Sequence, residues 1–175
     1  SRGLGDVYKR QSPDDRLQLR LHGKGYFFDN ARRKHGALMH EVLSRIRTRK
    51  DIPQSVERYH QEGVIDKEEA IALVARLEEL LNLPEAASWY DGTARVLNEV
   101  DILFGKGLSK RPDRVMITGN RVVVVDYKFG EHADQRYHSQ VRNYLKLIRQ
   151  MGYGEVEGFL WYVELNKIEA VSYTH

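Results

Sequence analysis

The segment Arg111 to Gly130, RPDRVMITGNRVVVVDYKFG, carries two aspartates and a lysine at a spacing that could hold a cation beside a phosphate ester. Gly119-Asn120 lies between two apolar runs and predicts a two-residue hairpin turn of the Gly-first type. Thr118 then faces Arg121, and the same register carried outward sets Asp113 opposite Asp126. Directly opposed residues on one sheet face have Cβ atoms about 4.5–5.5 Å apart. Like charges at that distance repel, and Asp126 ends the run Val122 to Val125, where loss of water adds to the cost. Lys128 emerges two residues on, on the face of Asp126, and offsets part of the repulsion. A divalent cation offsets it more fully, and oxygen ligands suit Mg²⁺ or Mn²⁺. Such an ion binds a phosphate and lowers the pKa of a water, while a lysine orients that water or steadies the developing charge. The plainer reading is an Asp–Lys ion pair at a strand end with no metal, and the second aspartate facing it weighs against that reading.

Several elements must position these groups. Gly36 to Thr48 sets Leu38, Val42, Leu43 and Ile46 at helical spacing. Asp51 is placed to cap a second helix with Pro53 in its first turn, and Asp66 to cap a third. The third presents Ile71, Leu73, Val74, Leu77, Leu80 and Leu81 as a broad apolar face, ended by Pro84. Leu17 to Arg20 and Gly25 to Phe28 read as short extended segments. Strand-like runs follow at Thr93 to Phe104, Asp113 to Thr118 and Arg121 to Lys128. The four consecutive valines mark a strand buried on both faces. Asp134 to Met151 returns to helical spacing, and strands at Val156 to Val163 and Lys167 to Val171 close the chain. The order predicts an α/β fold, a mixed central sheet flanked by helices, with an N-terminal helical segment.

Composition sets the bounds. The chain has 175 residues, 41% hydrophobic and 30% charged, which suits one globular domain. That domain is expected over residues 12–170. The ends, residues 1–11 and 171–175, look foreign, because DVYKRQ and VSYTH resemble translated sequencing-adaptor sequence. No apolar run approaches the roughly 18 residues of a membrane span, so no membrane partner is expected. Cysteine is absent, which excludes disulfides, thiolate zinc sites and cysteine-held iron–sulfur clusters, and suits a cytoplasmic protein. The 28 basic and 25 acidic residues leave a net charge of +3. Basic clusters at Arg32–Lys34, Arg45–Lys50 and Lys106–Arg111 could screen phosphates, but on charge alone a solvated helix and loop surface is the better reading. There is no Walker-type glycine loop, so the chain is not itself a nucleotide-driven motor.

The ordered motifs resemble the PD-(D/E)XK nuclease superfamily, in particular the nuclease domain attached to helicases of the RecB and AddA type. Pro112-Asp113 followed by Asp126-Tyr127-Lys128 matches its core pattern. Gly36-Ala37-Leu38-Met39-His40 is similar to the family's upstream helix, and Tyr137-x-x-Gln140-x-x-x-Tyr144 to its downstream one. Glu99 stands where an acidic residue often precedes the hairpin.

The resemblance spans Arg16 to Ile168 and implies a restriction-endonuclease-like core. It also implies a Mg²⁺- or Mn²⁺-dependent, exonuclease-like deoxyribonuclease acting in DNA end processing and recombinational repair. Catalysis would fall to Asp113, Asp126 and Lys128. The metal would be held by His40, Asp113, Asp126 and the backbone carbonyl of Tyr127, and Glu99, Gln140 and Tyr144 would support the site and guide the strand. The implied partners are DNA, a helicase motor in the same parent chain and a partner subunit. Some relatives carry an iron–sulfur cluster on four cysteines, and this chain has none. Two alternatives stay open: a non-catalytic DNA-binding scaffold of such a complex, and a stand-alone nuclease of phage or restriction type.

Overall fold

The computed structural model describes residues 33–98, 102–103, 109–130 and 134–173. The extended segments expected near residues 17–28, and Glu99, lie outside them. The backbone divides into two units, Ser1–Met39 and His40–His175. In the first, residues 33–39 open a helix, α1 (33–45), whose last turns belong to the second.

In the second unit, α2 (Ile52–Gln61) begins with Pro53 in its first turn as expected. The Asp51 carboxylate does not cap it in the forward direction. It turns back to accept from the backbone N–H groups of Thr48 (2.9 Å) and Arg47 (3.0 Å), closing a 3-10 turn at Arg49–Asp51. Asp66 caps α3 (Lys67–Leu81) as predicted, accepting from Glu69 N–H at 2.8 Å. This helix buries Leu73, Leu77, Leu80 and Leu81. Ile71 is a correction: it is 64% exposed. Two residues from Leu73, it is carried about 200° around the helix, away from the buried stripe, and borders a groove with Pro53 and Val56 of α2. Pro84 does more than end α3, because it opens the short helix α4 (Pro84–Ala87), which runs into a 3-10 turn at Ser88–Tyr90.

The sheet explains why the site can exist. In chain order its strands are β1 (Arg95–Asn98), then the two-residue ladder β2 (Ile102–Leu103) with β3 (Ser109–Lys110), then β4 (Arg114–Thr118), β5 (Arg121–Lys128), β6 (Glu155–Tyr162) and β7 (Lys167–Val171). The five longer strands form one sheet in the order β1-β4-β5-β6-β7. Every pairing in it is antiparallel except β5 with β6, which is parallel and joined by α5 (Gln135–Gln150). The fold is thus α/β, a mixed sheet flanked by helices. As the valine run predicts, β5 is buried from Val122 to Tyr127. Val122 and Val124, with Leu160 and Tyr162 of β6, pack under Val141, Tyr144, Leu145 and Ile148 of α5. Alternation sends Tyr127 to the opposite face, where its ring meets Trp161 edge-on at 5.8 Å and its hydroxyl bonds that of Tyr90 at 2.9 Å.

Candidate active site

The hairpin keeps the register that its turn dictates. Thr118 faces Arg121 and Arg114 faces Val125 at the last paired position. Gly119 takes φ +57°, the left-handed first corner that a Gly-first turn needs. Asp113 is the next residue outward from β4, and Asp126 the next in β5. The two acids therefore come together where the hairpin opens. The Asp113 N–H points to Asp126 Oδ1 at 3.4 Å, and the Tyr127 N–H donates to Asp113 Oδ2 at 2.7 Å.

Three further side chains converge on this pair. His40, in the last turns of α1, sets its Nε2 2.7 Å from Asp113 Oδ1, with its ring edge-on to Tyr127 and Phe129. Lys128 Nζ reaches Asp126 Oδ2 at 2.9 Å, confirming that the two share a face. Gln140 of α5 accepts from the same ammonium through Oε1 at 3.4 Å and donates from Nε2 to the Tyr144 hydroxyl at 2.9 Å. Tyr144 in turn donates to the carbonyl of Arg111 at 3.3 Å, just ahead of Asp113. The structure therefore brings together His40, Asp113, Asp126, Lys128, Gln140 and the Tyr144 hydroxyl. Tyr144 meets the site by that hydroxyl alone, because its ring is 1% exposed and packed in the core, so it has no face to offer a base. Trp89, Tyr90 and Trp161 are likewise buried packing residues.

The electrostatics follow from burial. Asp126 is 3% exposed. Loss of water first, and the neighbouring Asp113 second, push its carboxyl up to about 6, with Lys128 pulling the other way. Burial and the nearby Asp126 carboxylate also push the Tyr144 phenol up to about 12. Among the described residues no three His, Asp or Glu side chains are grouped as a metal cage.

Two residues gain a place at the site that the sequence did not assign, one of them, Tyr137, already part of the α5 motif. Tyr137 lays its ring under Lys128, with Nζ 4.5 Å from the ring centroid. Its signal was available, since Tyr137 precedes Gln140 by three residues and shares its helix face. Arg114, next to Asp113, is fully buried and donates to the carbonyls of Ile46 (2.6 Å), Arg47 (2.7 Å) and Trp89 (2.7 Å). Nothing in the sequence separates it from a surface arginine.

Against known proteins, a search of curated sequences finds no match. A family model does match, over residues 16–174, nearly the whole chain and all of the hairpin, α1 and α5 residues just described. The chain belongs to the PD-(D/E)XK nuclease superfamily.

Proposed function

We propose that this chain is the nuclease domain of a helicase-nuclease of the RecB and AddA type, cutting DNA strands that a motor in the same parent chain delivers. Members of the superfamily to which the chain belongs are typically metal-dependent nucleases, with DNA the implied substrate. The observation that supports an active rather than a vestigial site is the pair of acids itself: part-buried Asp113 beside buried Asp126, Asp126 pushed up to about 6, and Lys128 2.9 Å from Asp126. A scaffold gains nothing from setting a second acid against a buried one, which costs stability unless a cation joins them.

The donor set fits a hard divalent cation. Mg²⁺ is held in many sites by only one or two carboxylates, its remaining positions going to water and phosphate oxygens. Asp113 and Asp126 would hold the ion, with the Tyr127 carbonyl and His40 as further donors and Glu99 as a supporting residue. For His40 to serve, the 2.7 Å hydrogen bond to Asp113 must be exchanged, so that Nε2 faces the ion as a bare nitrogen. When bound, Mg²⁺ or Mn²⁺ supplies Lewis acidity toward a phosphate oxygen and a water of lowered pKa.

The rest is the work of the chain's own groups. Lys128 holds a positive charge beside the acids, placed to orient the attacking water or steady charge on the phosphate. Gln140 steadies Lys128, and the Tyr144 hydroxyl steadies Gln140. The resemblance of the ordered motifs to helicase-linked domains supports exonuclease-like trimming of DNA ends for recombinational repair, and the absence of cysteine suits the cytoplasm.

The test is cleavage of labelled single- and double-stranded DNA by the purified chain with EDTA, Mg²⁺ or Mn²⁺, beside Asp126→Ala and Lys128→Ala. Metal-dependent cutting that both substitutions abolish is expected. Retained cutting in either folded variant rules out the mechanism. No cutting, together with no Mn²⁺ binding by calorimetry, replaces the nuclease with the scaffold. A Walker glycine loop upstream in the parent reading frame supports the attached motor, and its absence from the full frame removes that part of the proposal.

A further inference from the structure

Lys128 is restrained from three sides, two of them oxygens and the third an aromatic ring. Asp126 Oδ2 meets its ammonium at 2.9 Å and Gln140 Oε1 at 3.4 Å. The ring of Tyr137 lies against the same nitrogen at 4.5 Å from its centroid, well within the roughly 6 Å at which an aromatic face attracts a cation. The two oxygens each accept one N–H. The ring attracts the charge through its quadrupole and needs no directed N–H, which leaves a third donor to turn toward a phosphate oxygen or water.

The helix is built to hold the ring there. Asp134 caps α5 by accepting from the Arg136 N–H at 2.8 Å, and the Tyr137 N–H donates to the Asp134 carbonyl at 3.0 Å. These bonds fix the first turn, from which Tyr137 projects, half-buried against the α5 core cluster. Tyr137, Gln140 and Tyr144 are spaced by three and four residues, so one helix face presents the ring, the amide and the hydroxyl in order. The Lys128 side chain keeps 20% of its surface exposed. Water therefore competes for the ammonium, and a stem of four methylenes can swing it away from the acids unless something opposes that motion.

We infer that Tyr137 is a positioning residue whose ring face holds the Lys128 ammonium between Asp126 and Gln140. The inference rests on the catalytic role proposed for Lys128. It differs from a packing role in one respect: the aromatic face matters, and volume alone does not replace it.

The experiment compares Tyr137→Leu, Tyr137→Phe and Lys128→Ala in Mg²⁺-dependent cleavage under saturating DNA, with proton NMR of the Lys128 Cε protons in the wild-type and Tyr137 variants. A ring face at this distance shifts those protons upfield in the wild type and in Tyr137→Phe, and the shift disappears in Tyr137→Leu. Tyr137→Leu is expected to lose about tenfold in kcat, with KM for DNA and the Mg²⁺ half-saturation point unchanged. Tyr137→Phe restores most of the lost rate. Should Tyr137→Leu fail to fold, Tyr137→Met supplies a flexible side chain without a ring. A wild type with no upfield shift overturns the geometry. A folded Tyr137→Leu or Tyr137→Met with wild-type kcat overturns the positioning role while leaving Lys128, if Lys128→Ala is inactive, as the catalytic lysine. If Lys128→Ala still cuts, the reading of Lys128 falls and the inference with it.

Discussion

Asp126 is the residue whose ionisation the fold opposes most visibly. Burial and Asp113 hold it at about 6, against 3.8 for an ordinary aspartate. A carboxyl raised on folding contributes stability that is present in full below about pH 4 and lost as pH rises through about 6. Two pKa units correspond to ~3 kcal/mol as an upper figure. In EDTA, the urea stability of the wild type relative to Asp126→Asn is therefore expected to fall between pH 4 and pH 7 by up to that amount. Mg²⁺ should reverse the trend for the wild type alone, stabilising it more at pH 7.5 than at pH 5, because only the ionised pair binds it well. A wild-type-minus-variant difference that is flat with pH would contradict the buried-pair account. Asp113→Asn removes a ligand without removing the side chain, so cleavage should need roughly tenfold more Mg²⁺ or more. An unchanged Mg²⁺ titration would show that Asp113 is not a ligand.

At the scale of elements, the site depends on the hairpin that pairs the acids and the helix that reaches over them. The hairpin was legible in the sequence because a two-residue turn leaves no freedom of register: once Gly119 and Asn120 are the corners, Asp113 can only meet Asp126. The helices were legible by period, but their faces less so, as Ile71 shows. An apolar residue at the margin of a stripe is assigned by which neighbour packs there, and single-sequence periodicity does not contain that. The close seating of α5 was also hidden. Gly158 of β6 lets the helix approach so nearly that a Cβ there would come 2.6 Å from Val141 Cγ1 and 3.0 Å from both Leu145 methyls. Those side chains are fully buried and have nowhere to retreat. Gly158→Ala should destabilise by ~1–3 kcal/mol through overpacking, a fall in Tm of roughly 3–10 °C. Because α5 carries Tyr137 and Gln140, kcat should drop in the same variant. Adding Val141→Ala removes the nearest clashing methyl, so the double variant should be less destabilised than the sum of the two singles. Strict additivity in thermal melts would place the strain elsewhere.

Across the whole molecule, the sheet and the end of α1 are tied together by one buried cation. Arg114 gives three N–H bonds of 2.6–2.7 Å to carbonyls just past α1 and in the Ser88–Tyr90 turn, and its guanidinium stacks 3.8 Å from the centroid of the Tyr90 ring. Carbonyl dipoles at the end of a helix and an aromatic face replace much of the water that the two terminal nitrogens give up, while the buried Nε has no hydrogen-bond partner among the described residues. Tyr90 continues the tie through its hydroxyl to Tyr127, the residue between Asp126 and Lys128. The connection explains how His40, more than seventy positions from Asp113 in sequence, meets it at 2.7 Å: the strand residue beside Asp113 clamps the helix that carries His40. Arg114→Met keeps the apolar stem and orphans three carbonyls, two of them in buried bonds, which should cost ~3–5 kcal/mol out of the ~5–15 kcal/mol that holds a domain together. Arg114→Lys should recover little of it, because a single ammonium lacks the planar fork that reaches two elements at once. Denaturant melts measure the loss. Amide hydrogen exchange locates it, with protection expected to fall first in residues 40–47 and at Trp89 while α5 keeps its own. If exchange accelerates evenly throughout, Arg114 is an ordinary buried residue and the placement of His40 has another cause.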